Sequence, residues 1–186
     1  MDWADENSVS DLQWIEHQSY LEGGYYRGFP RDKQKLYEAT TLNLLGSQLQ
    51  TLPKEIGSLE NLKNLYLTDN QFQSLPDEIG KLQNLEELYL PGNNLTTLPS
   101  SIKNLTNLKA LYLQENNISI LPSELGELAN LEILEIGGNL LETLPAELGK
   151  LKNLKKLTFW KNKITSLPNE MKNLTNLKEL DFIYNK

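Results

Sequence analysis

The sequence predicts an α/β solenoid, one small unit of strand and helical turn used repeatedly. Three rows of residues predict it. Leu62, Leu85, Leu108, Leu131, Leu154 and Leu177 stand 23 residues apart. Asn70, Asn93, Asn116, Asn139, Asn162 and Asn185 keep the same step. So do Pro53, Pro76, Pro99, Pro122, Pro145 and Pro168. Self-similarity at a short fixed period marks stacked supersecondary units that cannot bury their apolar face alone.

The shared unit reads N-L-x-x-L-x-L-x-x-N-x-L-x-x-L-P-x-E-[IL]-G-x-L-x. Its L-x-L is a short strand with both leucines turned to one face. The asparagine follows where the chain turns, so its amide can bond loop backbone, and stacked copies form a ladder. P-x-E-[IL]-G-x-L reads as one helical turn on the opposite side. Proline suits its first helical position, and the glutamate two residues later suits the positive end of the turn. The row Glu55, Glu78, Glu124, Glu147 and Glu170 is therefore read as structural. Six units run from about residue 39 to 175, and half a unit fills 176–186. The first is looser, with Ala39 for the first leucine and Ser47 for the asparagine.

This pattern resembles the leucine-rich repeat family in its "LPxEIGxLxNLxxLxLxxNxL" form, found in bacterial proteins, including 23-residue arrays of spirochaetes, and in eukaryotic scaffolds. The resemblance covers residues 39–186. It implies a curved horseshoe with a parallel sheet on the concave side and short helical turns on the convex side. It also implies a non-catalytic module that binds proteins or peptides through that sheet.

Side chains alternate across a strand. With Leu88 and Leu90 turned inward, Tyr89 faces out of the concave sheet. The same column reads Asn43, Tyr66, Tyr89, Tyr112, Glu135, Thr158 and Asp181. One neighbouring outward column carries Ile133 and the other Trp160. Strands lie ~4.8 Å apart, so the three tyrosines make one stripe, and together they offer on the order of 500 Å² for burial. Tyrosine and tryptophan dominate binding hot spots. The expected ligand-binding residues are Tyr66, Tyr89, Tyr112, Ile133, Glu135 and Trp160. The alternative is that stacked tyrosines support a sheet face without any ligand.

Residues 1–38 lack the repeat, and the expectation for them is a helical N-terminal cap rich in aromatics. The solenoid then occupies 39–186. "NLKELDFIYNK" ends the sequence just after a strand, leaving Leu177, Leu180 and Phe182 without a repeat beyond them. A weak homodimer through that edge is one expectation, and a recognition domain of a larger effector or enzyme is another.

The remaining numbers mostly exclude. With 18 basic and 25 acidic residues the net charge is -7, which disfavours nucleic acid and anionic membranes as partners. No apolar stretch approaches the ~20 residues of a membrane span. The absence of cysteine removes disulfides and thiolate chemistry. The single histidine, His17, lies in the expected cap, so no catalytic triad, cofactor or metal site is expected. Glu135 and Asp181 stand two strands apart, roughly 9–10 Å, too far to share an ion. "MDWADENSVS" is acidic and polar and is not a secretory signal. A cytoplasmic location is the default expectation, with non-classical export as effector or surface protein left open. Charge is uneven along the chain. Residues 110–149 hold seven glutamates and no basic residue, whereas 150–186 hold nine lysines against three acids. This arrangement either steers a dipolar partner, favours head-to-tail self-contact, or is simply solvated.

Overall fold

Each repeat forms a three-residue strand centred on the first leucine of L-x-L in a computed structural model, which describes residues 37–186. The strands are β1 (Thr41–Asn43), β2 (Asn64–Tyr66), β3 (Glu87–Tyr89), β4 (Ala110–Tyr112), β5 (Ile133–Glu135), β6 (Lys156–Thr158) and β7 (Glu179–Asp181). They form one parallel sheet in sequence order. Register follows the period, pairing Leu65 with Leu88 and Leu88 with Leu111. Every residue therefore lies beside its own equivalent. The ladder continues past each strand, where Leu67 N–H donates to the Tyr89 carbonyl at 2.8 Å and Leu90 N–H to that of Tyr112 at 2.9 Å. The residues expected to form the N-terminal cap lie, but for the last two, outside the described residues.

The leucines of each strand, of the following loop and of the convex turn meet in one continuous core. In one unit Leu85, Leu88, Leu90, Leu95, Ile102 and Leu105 are all fully buried. Phe72 and Phe159 fill two of these positions and are also buried. Parallel strands so short would contribute little alone; the leucines they carry supply the free energy, at ~1.5–3 kcal/mol for each side chain buried.

On the convex side the helical segments are 3-10 turns: Lys54–Ser58, Asp77–Lys81, Ser100–Asn104, Ser123–Glu127, Ala146–Lys150 and Asn169–Asn173. The proline stands one position earlier than expected, at the cap, with extended backbone. Its carbonyl accepts the first turn bond, as Pro53 does from Ile56 N–H at 3.1 Å. Proline has no N–H to leave unpaired there. The glycine of E-[IL]-G has a packing role that the sequence pattern did not reveal. A Cβ at Gly80 would lie 2.5 Å from the Ser101 carbonyl oxygen of the next turn. Glycine thus lets consecutive turns touch backbone to backbone.

The asparagine row joins the repeats. Asn93 is buried, and its Nδ2 donates to the carbonyls of Leu67 at 2.9 Å, Leu90 at 3.0 Å and Pro91 at 3.3 Å. Its Oδ1 accepts from Phe72 N–H at 3.2 Å. Asn70, Asn116, Asn139 and Asn162 repeat this set. The residue before each of these asparagines takes left-handed backbone, from Asp69 and Gly92 to Lys161, with φ between 50° and 67°, and Gly46 does the same before Ser47. That turn swings the amide back beneath the strand. A second asparagine row lies at the surface, where Asn107 Nδ2 donates to the Gln83 carbonyl at 2.8 Å and Asn130 to that of Thr106 at 2.8 Å.

These two rows differ in how much water can replace them. Asn116→Ala leaves the buried Leu95 N–H without its acceptor and takes one of two donors from the Leu90 and Leu113 carbonyls, and is expected to cost about 1–3 kcal/mol in urea unfolding. Asn107→Ala exposes its partner to water and is expected to cost about 0.5–1 kcal/mol. Equal losses for the two would refute this account of the inner row.

Candidate functional site

The outward positions of the sheet form three columns, and the middle one is aromatic from β2 to β4. Tyr66 and Tyr89 stack with ring centroids 4.5 Å apart and planes 19° apart. Tyr89 and Tyr112 stack at 4.4 Å and 9°. The flat sheet and the 23-residue register produce this, because equivalent side chains project in parallel at the strand spacing. The rings spend their faces on one another, so all three are only partly exposed. What they present to solvent is a row of ring edges and hydroxyls, less area than the sequence suggested.

Tyr89 donates its hydroxyl to Glu87 Oε2 at 2.7 Å. Glu87 lies in the first outward column, beside Asn64 and Ala110 in register. Burial, followed by the Glu87 hydrogen bond and charge, holds the Tyr89 phenol well above its ordinary value. Burial likewise pushes Tyr112 upward.

Beyond Tyr112 the middle column turns polar. Glu135 accepts a short hydrogen bond from Gln114 Nε2 and an ion pair from Lys156 at 3.0 Å. Lys156 also meets Glu179 at 2.9 Å, and these hydrogen bonds raise its pKa. Glu135 is therefore already engaged within the sheet face. Trp160 stands two strands from Tyr112, in the third column. Its indole lies on the backbone of Gly137, where a Cβ would come 2.6 Å from the ring's Cδ2. Ile133 pairs in register with Ala110 and Lys156 in the first column. The structure thus gathers the three tyrosines, and it puts Ile133 and Trp160 on opposite margins of the sheet. A Gly–Trp pair on adjacent strands was visible in the columns but had no meaning before the packing was known.

A row of alternating charge borders the first column. Lys63 and Lys109 both face Glu86, at 3.9 and 2.6 Å, and Lys155 meets Glu132 at 2.6 Å. Lys109 holds the Glu86 carboxyl below the usual range. Reading the sequence at steps of 23 through Lys63 would have found this row. Among the described residues no group of three or more histidine or acidic side chains is placed to hold a metal ion. At the last strand Leu180 and Phe182, in inward positions, are 41% and 53% exposed.

Comparison with known proteins gives the same architecture. The family model for the leucine-rich repeat region matches residues 31–114 and 101–186. The chain belongs to the leucine-rich repeat family. Among solved structures, a leucine-rich repeat protein of Leptospira interrogans is 35% identical, with a TM-score of 0.70 over 87% of this chain and 48% of that one. A plant peptide hormone receptor, RGFR1 in complex with RGF2, is 32% identical, with a TM-score of 0.71 over 82% of this chain and 26% of that one. The Toll–Spatzle complex of Drosophila gives 29% identity and a TM-score of 0.76, over 86% and 22%. This leucine-rich repeat chain spans about half or less of the length of these solved relatives. No curated protein matches it. The family is generally a non-enzymatic protein-interaction fold.

The raised phenols tie the stack to alkaline stability. Their folded values lie above the ordinary 10, so the folded chain keeps protons that the unfolded chain releases. That contribution is complete below pH 10 and is lost as pH rises through the folded values. Phenolate absorbance is expected to appear at higher pH in the folded chain than in urea. Tyr89→Phe is expected to flatten the alkaline loss of stability, and an unchanged slope would break the link.

Proposed function

We propose that this leucine-rich repeat chain is a non-catalytic interaction module that binds a protein or peptide on its concave sheet. The tyrosine stack carries this reading. Three aromatic rings hold one ordered row on strands whose central leucines, Leu65, Leu88 and Leu111, are buried in the core. Stacking fixes their rotamers before a ligand arrives, so little side-chain entropy remains to be lost on binding. Tyr66, Tyr89 and Tyr112 are the proposed centre. Trp160 and Ile133 are outlying contacts, with Glu135 in the polar stretch between them. The solved relatives named as complexes with RGF2 and Spatzle support a macromolecular ligand. The structural division proposed is a cap over 1–38 and repeats over 39–186.

The test compares wild type with a Tyr66→Ala, Tyr89→Ala, Tyr112→Ala variant shown to be folded by circular dichroism. Both are presented to the same lysates, and captured proteins are identified and remeasured as pure components. The expected outcome is a partner held by wild type and weakened at least ten-fold, about 1.4 kcal/mol, by the variant. Equal affinity for both would remove the stack from the site.

A second reading is self-association through β7, favoured by the exposure of Leu180 and Phe182. Exposed strand edges with apolar side chains pair readily. On this reading sedimentation equilibrium shows a mass that rises with concentration and that Phe182→Lys returns to the monomer. A constant monomer mass would end it.

A further inference from the structure

We infer that the concave partner presents a basic side chain, arginine or lysine, to Glu87. This rests on the concave-sheet reading above and names the chemistry that the site would select. The outward positions of β1 to β4 are Thr41, Asn64, Glu87 and Ala110 in the first column, and Asn43, Tyr66, Tyr89 and Tyr112 in the second. The third column continues with Leu45, Thr68, Pro91 and Gln114. Glu87 is the single charge among these twelve positions. A lone carboxylate on an otherwise uncharged floor sets the sign of what can dock there.

Glu87 Oε2 takes the Tyr89 hydroxyl, and among the described residues neither of its oxygens forms an ion pair. The neighbouring lysine, Lys109, is committed to Glu86 at 2.6 Å. Further along the sheet the outward acids Glu135 and Glu179 share Lys156, and Asp181 accepts from the Ile183 N–H. The Tyr89 hydroxyl only donates a hydrogen bond to Glu87 and brings no positive charge.

The shape suits a long basic side chain. Glu87, Ala110 and Ile133 lie side by side in register on β3, β4 and β5. Ala110 is buried, whereas Ile133, Tyr89 and Tyr112 stay partly exposed around Glu87. On this inference an arginine or lysine stem lies across Ile133 and the edges of Tyr89 and Tyr112, with its head at Glu87. Long basic side chains cover apolar surface in this manner while keeping the head polar. The net charge of -7 favours the approach of a basic partner.

A displayed library of random linear peptides, selected on the full wild-type chain, tests the inference. Selected peptides are synthesised and their affinities measured against wild type, Glu87→Gln and Tyr89→Ala. Glutamine keeps an acceptor for the Tyr89 hydroxyl, so the stack survives while the charge is lost; thermal unfolding checks both variants. The expected result is enrichment of arginine or lysine beside apolar residues, with affinity about ten-fold weaker for Glu87→Gln, and with added salt weakening the wild-type affinity more than the variant's. Peptides that lose affinity for Tyr89→Ala but carry no basic residue, or ignore Glu87→Gln, would overturn the inference and leave the concave site standing. Peptides indifferent to both variants, or no enrichment at all, would overturn both.

Discussion

The buried asparagine that follows each strand is the interaction on which the rest of this structure depends. A three-residue strand offers few ladder bonds, and the loop after it must bury backbone carbonyls that no strand satisfies. One side-chain amide meets that demand across two repeats. Asn93 binds carbonyls at Leu67, Leu90 and Pro91 and takes the N–H of Phe72. Three segments of chain are thereby fixed to one planar group. Because the group recurs every 23 residues, it fixes the register of neighbouring repeats as well as the shape of each. The left-handed residue before it is the local cost. Asp69 and Glu115 adopt φ values of 55° and 52° with side chains that disfavour them, about 1–2 kcal/mol each, and the four bonds of the amide offset this.

Register in turn makes the concave face. When Tyr66, Tyr89 and Tyr112 occupy equivalent positions on strands one spacing apart, face-to-face stacking follows without any further instruction. The same rule stacks opposite charges at Lys63, Glu86 and Lys109. A column of a repeat sheet therefore turns sequence spacing directly into contact. Whether a column reads as aromatic, charged or mixed depends only on which residues recur at the step of 23.

That rule marks what was legible in the sequence. The leucines, the inner asparagines and the outward tyrosines could all be placed, because each is fixed by strand alternation and period. Features within one column were within reach too, and the Lys–Glu row is an example. Features that depend on backbone approach were not. Glycine at 57 and 80 has no side chain to show that the next turn presses on it. Trp160 could be placed in the third column, apart from Ile133 in the first, but what its ring packs on could not. Its true neighbour is Gly137, an absence of side chain that periodicity cannot read. The proline was misplaced by one residue because the 3-10 turn begins later than an α-turn with proline at its first position would.

The outward columns divide the sheet into two unlike halves on one scaffold. From β1 to β4 the face is aromatic and nearly uncharged, and its one carboxylate is bonded to a phenol. From β5 to β7 the acids Glu135 and Glu179 are both paired with Lys156, and Asp181 accepts from the Ile183 N–H. An ion pair already formed has little left to gain from a ligand, since a newcomer must first displace the partner. A solvated carboxylate without a cation has more to gain. The two halves thus differ in where binding energy remains available, although their cores are nearly identical leucine by leucine. The core of a repeat protein is set by the period, and its surface is free to differ at every unit. On the proposed reading, binding is therefore written in the outward columns, at Glu87, the tyrosines and Trp160, rather than in the repeated core.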